Sequence, residues 1–289
     1  MTAIYRTEAG GQQVRERYVE ALRAWPVPAE HRRVPTREGE TFVVVCGPEQ
    51  APPVLLCHGS STNTAMWISD VASWAQHFRV HAVDMIGEPG LSAPSRPPLD
   101  SEAYADWLDD VLEGLGLTQA AMVGASLGGW LALDYAIRRP HRVSSLALLC
   151  PGGVGRQKWG WIGKALLLKP FGLWGQRRTL RTVAGLDMAG AEGFLDGMAL
   201  TFRHFQPRKE PLPVFPDDAL RRLTVPMLVI AGDRDAMLDS RDTARRLAAA
   251  VPHATVHLLP GVGHSVVGQT EPILAHLRQA TAPADAERR

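Results

Sequence analysis

A mainly parallel β-sheet with helices on both faces, interrupted late in the chain by a helical insertion, is the fold class this sequence predicts. Three observations predict it. Short apolar runs alternate with stretches whose apolar positions recur at helical spacing, the βαβα rhythm of a parallel sheet. That rhythm stops after Cys150-Pro151 and resumes at Val225-Pro226-Met227, and the roughly seventy residues between carry helical patterns without a strand-like run, too many for a plain loop. Finally, a serine framed by glycines stands where one apolar run meets one helical pattern.

In chain order, Val14, Tyr18, Ala21, Leu22 and Trp25 predict an amphipathic helix over 12–25, ended by Pro26 and Pro28. Arg32 to Thr36 and Thr41 to Cys46, joined across Glu38-Gly39-Glu40, read as a hairpin at the sheet edge. Val54-Leu55-Leu56-Cys57 is a buried parallel strand. A helix with Trp67, Val71, Trp74 and Phe78 on one face follows, then a strand from Val80 to Val83. A helix from Ser101 turns Tyr104, Trp107, Leu108, Val111, Leu112 and Leu115 inward and has Gly116 past its end. A strand ending near Val123, a helix halted by Pro140 and a strand from Ser144 to Leu149 continue the alternation. After the insertion come strands Met227 to Ala231 and Thr255 to Leu259, a helix over Arg241 to Val251 between them, and a last helix over Thr270 to Thr281. The charged tail from Asp285 to Arg289 is expected to fray. The organisation expected is thus a first core part at 1–151, a helical lid at 152–224 and a second core part at 225–289.

Composition narrows the function classes. The 289 residues carry 31 basic against 30 acidic side chains, a balance that offers nucleic acid no attraction. Cys46, Cys57 and Cys150 are odd in number, lie in or beside apolar runs and lack metal-ligand spacing, so they read as buried free thiols in a reducing compartment. No stretch resembles a signal peptide or reaches membrane-spanning length, which makes a soluble cytoplasmic protein without integral membrane association the expectation. The histidines are scattered without HExxH spacing, so neither a metal nor another cofactor is called for.

Chemistry concentrates at Gly124-Ala125-Ser126-Leu127-Gly128. Gly-x-Ser-x-Gly between a strand and a helix is a nucleophile elbow, a turn so tight that side chains at the glycines would clash. It exposes the Ser126 hydroxyl at a helix N-terminus, where free N–H groups favour developing negative charge. The competing reading is a glycine-rich turn with an incidental serine. The loop His58-Gly59-Ser60-Ser61-Thr62-Asn63 after the first buried strand can supply a second oxyanion donor, making the backbone amides of Ser60 and Leu127 the candidate oxyanion hole. His58 itself reads as a residue that orders this loop by hydrogen bonding. The candidate base is His264, in the glycine-flanked loop after the last strand. For the acid, Ala231-Gly232-Asp233-Arg234-Asp235 offers both Asp233 and Asp235, and alternation does not separate them.

The order of Ser126, an aspartate at 233 or 235 and His264, with the His58-Gly59 loop and Asp84-Met85-Ile86-Gly87-Glu88-Pro89-Gly90-Leu91-Ser92, resembles the α/β-hydrolase superfamily over nearly the whole chain. The N-terminal helix, Gly47-Pro48-Glu49-Gln50-Ala51-Pro52-Pro53 and the Glu-Pro form of the Asp84 stretch resemble more closely the bacterial carboxylesterases of the naproxen-esterase kind. The resemblance implies the α/β-hydrolase fold with an inserted lid. It also implies that the acid is Asp235, three residues after the strand-end glycine. The mechanism implied is serine acyl transfer on a small to medium, partly apolar carboxylic ester. Ser61, Trp130, Trp159, Trp161 and Met237 are the positions expected to border that small-molecule substrate. A thioesterase or acyltransferase, or a lyase or cofactor-free oxidative enzyme, can use the same three residues, and a non-catalytic ligand-binding protein is the reading from a different class. Monomer and dimer both stay open.

Between Gly152 and Leu186 there are seven basic residues, Arg156, Lys158, Lys164, Lys169, Arg177, Arg178 and Arg181, and no acidic one. Trp159, Trp161, Leu166, Leu167, Leu168, Phe171 and Trp174 share the stretch. One reading is an apolar pocket roofed by the lid, with a basic rim for an anionic substrate, an acidic carrier or a membrane surface. The other is an ordinary amphipathic lid whose apolar face packs on the core and whose charges are solvated; a shared role of those apolar residues in packing and pocket lining is the expectation.

Overall fold

The computed structural model describes residues 4–172, 174–175, 178–179, 185 and 192–282. Arg177, Arg181 and the tail from Asp285 to Arg289 lie outside the described residues. The described strands are β1 (Ala29–Thr36), β2 (Gly39–Cys46), β3 (Pro53–Cys57), β4 (Arg79–Val83), β5 (Ala120–Ala125), β6 (Val143–Leu149), β7 (Met227–Gly232) and β8 (Thr255–Leu259). They form one sheet in the order β1-β2-β4-β3-β5-β6-β7-β8. The β1–β2 and β2–β4 pairs are antiparallel and every later pair is parallel. The hairpin pairs Thr36 with Gly39, so its turn is Arg37-Glu38 rather than the three residues read from sequence, and Gly39 takes a φ of 101° that suits glycine.

Period-two alternation sends successive side chains of one strand into two cores. Val43 and Val45 of β2, Leu55 and Cys57 of β3, Leu146 and Leu148 of β6 and Val229 of β7 enter one cluster. It is covered by α3 (Ala103–Gly114), α4 (Leu127–Arg138) and α8 (Ser240–Ala250). Val44, Val54, Leu56, Val123, Ala147, Leu149 and Ile230 enter the other, beneath α1 (Glu8–Arg23), α2 (Val71–Trp74) and α9 (Thr270–Thr281). The central strands are apolar on both faces because both faces are roofed, which is why they read as continuous apolar runs.

Two helices differ from expectation. The first begins at Glu8, not at residue 12, and ends at Arg23; the Thr7 hydroxyl accepts the Gly10 amide 3.1 Å away as its cap. Glycine is a poor helix former, but here contact with a neighbour decides: a Cβ at Gly10 would lie 2.3 Å from His204 Nδ1. The helix expected around Trp67 and Phe78 is broken into a 3-10 turn, Thr64–Trp67, and the single turn of α2. Asn63 caps the first piece through its side chain, and all four predicted apolar residues are buried nevertheless.

Between β6 and β7 the described residues form α5 (Gly160–Leu168), a 3-10 turn at Lys169–Phe171, α6 (Glu192–His204) and the short α7 (Asp217–Leu220), with no named strand among them. The end of α6 returns to the N-terminus, where Phe205 meets Tyr5 edge to face and the Arg6 amide donates to the His204 carbonyl at 2.8 Å.

Candidate active site

Ser126 joins β5 to α4 with φ 51° and ψ −105°, a left-handed backbone conformation unusual for a side-chain-bearing residue. Both flanking glycines are sterically required. A Cβ at Gly124 would lie 2.5 Å from the Gly128 carbonyl oxygen, and one at Gly128 would lie 2.1 Å from that of Cys57. The elbow is therefore pressed against the end of β3, from which the His58–Asn63 loop departs. An added Cβ on Gly59 would sit 3.9 Å from that of Ser126.

The loop is held by His58, which is fully buried. Its Nε2 accepts the Met85 amide at 2.9 Å, so the proton rests on Nδ1, which donates to the Gly59 carbonyl at 2.9 Å. Burial lowers the pKa of the ring and keeps it neutral. The Thr62 hydroxyl donates to the same carbonyl at 2.7 Å. In a trans peptide the N–H opposes the C=O, so anchoring the Gly59 oxygen turns the Ser60 amide away from His58. Leu127 opens α4, placing its amide at the helix N-terminus beside the Ser126 hydroxyl.

His264 Nε2 lies 3.0 Å from Ser126 Oγ, and its Nδ1 lies 2.7 Å from Asp235 Oδ2. The structure thus brings Ser126, His264 and Asp235 into one hydrogen-bonded chain and leaves Asp233 out of it. The Asp233 carboxylate instead accepts the Gly261 amide at 2.7 Å, holding the turn that leads to His264. Asp235 is 2% exposed. Burial opposes its charge, but the His264 hydrogen bond and charge, with the Leu238 and Met237 amides, outweigh burial and hold the carboxyl below its ordinary pKa. Cys150 closes the back of this group with a φ of 43°. Its sulfur, an Asp235 oxygen and a His264 nitrogen all lie within 4.8 Å of one another, a spacing compatible with metal ligands. Burial, and then the Asp235 charge, push the thiol to about 12, so the sulfur is protonated at neutral pH.

The remaining sequence-picked positions separate. Ser61 is buried with φ 61°. Trp130 is 1% exposed, stacks on Phe215 and donates its indole N–H to the Pro213 carbonyl at 2.9 Å. It also borders a small apolar cavity with Leu127, Leu131, Met85, Ile86, Leu99 and Tyr104. Met237 is half-buried beside the acid, and its carbonyl accepts the Lys158 amide at 2.7 Å. Lys158 Nζ donates to the Asp235 carbonyl at 3.0 Å, which seats the segment before α5 against the acid loop. Trp161 is half-buried and Trp159 is half-exposed. Leu166, Leu167, Phe171 and Trp174 stay well exposed, which departs from the shared role in packing and pocket lining expected of them.

Glu88 is the residue that sequence reasoning missed. It is 2% exposed and its carboxylate accepts the Ser61 amide at 2.6 Å, with the Ser60 hydroxyl at a longer 3.5 Å. Burial raises its pKa to about 7, against the opposing influence of that amide and of Arg96 and Arg208. Nothing in the run Gly87-Glu88-Pro89-Gly90 distinguishes a buried glutamate from a solvated one.

Comparison with known proteins gives the same architecture. A model described as the alpha/beta hydrolase family matches residues 54–275. The uncharacterized carboxylesterase nap of Bacillus subtilis strain 168 is 30% identical over 271 residues, covering 90% of this chain and 89% of that one. The crystal structure of carboxylesterase CesB (YbfK) from Bacillus subtilis superposes with a TM-score of 0.80 at 28% identity, over 94% of this chain and 97% of that one. The crystal structure of naproxen esterase from Bacillus subtilis does so with a TM-score of 0.80 at 28% identity, over 95% and 98%.

Proposed function

This chain belongs to the alpha/beta hydrolase family and is a carboxylesterase-like hydrolase; on that premise we propose that it cleaves a small to medium, partly apolar carboxylic ester through an acyl-enzyme on Ser126. Ser126 Oγ attacks the ester carbonyl carbon while His264 Nε2 takes the hydroxyl proton, the step to which their 3.0 Å separation is suited. Asp235 holds the imidazole through Nδ1 and stabilises its charged form. The amides of Ser60 and Leu127 receive the oxyanion. His264 then returns the proton to the leaving alcohol. Water attacks the acyl carbon by the same route in reverse, releasing the acid and restoring Ser126.

The single observation that carries this reading is the continuous chain Ser126–His264–Asp235, at 3.0 and 2.7 Å, in a fold whose strained elbow aims the hydroxyl outward. Residues 152–224 act in it as a helical lid, with Trp159, Trp161 and Met237 bordering the ester. Trp130 supports the site from beneath. Thioester cleavage uses the same groups, so the test is a panel of p-nitrophenyl esters and acyl thioesters of graded chain length. We expect esters to be turned over with the higher kcat/KM and a preference for short to medium apolar acyl groups. Thioester preference at every length would overturn the ester assignment.

A further inference from the structure

Five large apolar side chains in one short segment face solvent: Trp159 is 52% exposed, Leu166 63%, Leu167 75%, Phe171 61% and Trp174 59%. Elsewhere among the described residues Val19, Val214, Leu258 and Val267 are the exposed large hydrophobics; none passes 49%, and each stands alone in sequence. The cluster is continuous at its C-terminal end, where the Phe171 and Trp174 rings meet edge to face at 5.8 Å and the Arg178 guanidinium lies 5.9 Å from the Trp174 ring centre. An apolar patch of this kind on a soluble protein marks a surface made to be covered.

Charge says what covers it. The 152–186 segment carries seven basic residues and no acid. Taking those seven from the 31 basic residues of the chain leaves 24 against 30 acidic, so the rest of the chain is net acidic and this segment is its basic exception. A second copy of the chain would bring the same positive charge against it, which disfavours self-association through this face. Tryptophan, phenylalanine and leucine beside lysine and arginine, on a helix too short to cross a bilayer, is instead the composition of an element that lies in the lipid headgroup region. Rings and leucines sink toward the acyl chains there, and the long basic side chains reach back to phosphates. We infer that α5, with Phe171 and Trp174 beyond it, docks the enzyme on the surface of an anionic lipid bilayer. The segment enters α5 from the Lys158 contact on the Asp235 loop, so docking sets the lipid surface next to the candidate active site. The inference does not depend on the reaction chemistry.

Co-sedimentation of the full chain with vesicles of phosphatidylcholine alone, or of phosphatidylcholine mixed with phosphatidylglycerol, tests it. The protein binds the mixed vesicles at least about tenfold more strongly than the neutral ones, and near-molar salt, where the Debye length falls to about 3 Å, removes most of that preference. The double substitution Leu166→Asp and Leu167→Asp abolishes vesicle binding while leaving the circular dichroism melt and the hydrolysis of a soluble ester unchanged. Equal binding to neutral and anionic vesicles, or none to either, overturns the inference without needing any variant. So does a wild-type dimer that the double substitution dissociates, which would assign the face to a second copy. A loss of soluble-ester turnover in the folded double variant would assign it to the substrate path and overturn the inference as well.

Discussion

Replacing Glu88 by Gln should change how stability depends on pH, and the structure sets the size of the change. The carboxylate is buried, and burial raises its pKa from an ordinary 4.5 to about 7. The folded protein therefore holds a proton that the unfolded chain releases above pH 4.5. Between those values stability must fall as pH rises, because the native state binds more protons. At about 1.4 kcal/mol per pKa unit, the penalty reaches about 3 kcal/mol once pH exceeds 7 and is absent below 4.5. Glutamine keeps an oxygen for the Ser61 amide and has no proton to lose. Urea unfolding of both proteins from pH 4.5 to 8 isolates the contribution, since every other titrating group is shared. We expect the stability difference to shift by up to about 3 kcal/mol in favour of the variant as pH rises from 4.5, levelling off above about 7. A difference independent of pH would refute the assignment of a buried, titrating Glu88.

Other substitutions probe the remaining parts of the site. Asp235→Asn should lower kcat by about four orders of magnitude, because the amide favours the wrong tautomer of His264, while Asp233→Asn, which touches only the Gly261 amide, should cost far less; steady-state kinetics on one p-nitrophenyl ester would show the reverse ranking if the acid were misassigned. Gly128→Ala should prevent a correctly formed elbow, since its Cβ meets the Cys57 carbonyl at 2.1 Å; a melting temperature and activity equal to wild type would contradict the packing described. His58→Ala should leave the Met85 amide buried without its acceptor, lowering stability by roughly 1–3 kcal/mol in denaturant unfolding and loosening the Gly59–Ser60 peptide.

These residues also show which features could be read from sequence. The central strands were legible because both their faces are buried, so Val54 to Cys57 and Met227 to Ala231 stand out as apolar runs at any reading. The elbow was legible because contact distances at Gly124 and Gly128 exclude any other residue. Features decided by distant neighbours were not legible. The choice between Asp233 and Asp235 depends on which carboxylate the His264 loop meets, and only the family resemblance favoured Asp235 in advance. The early start of α1 depends on Gly10 fitting against His204, nearly two hundred residues away in sequence. Glu88 became interesting only when the fold buried it, since charge in a local sequence does not reveal solvation. Helical spacing likewise marked Leu166 and Phe171 as apolar without telling whether anything covers them.

An acyl group carried by Ser126 is the intermediate on which the proposed mechanism turns. Rapid mixing of the enzyme with an activated p-nitrophenyl ester, followed by acid quench and intact-protein mass measurement with peptide mapping, reads this out. We predict a burst of nitrophenol matched by one acyl adduct on Ser126. The folded Ser126→Ala protein should form no adduct, and its turnover should fall by a factor on the order of a million. An adduct on another residue, or retention by that protein of more than roughly a tenth of wild-type turnover, would contradict the mechanism.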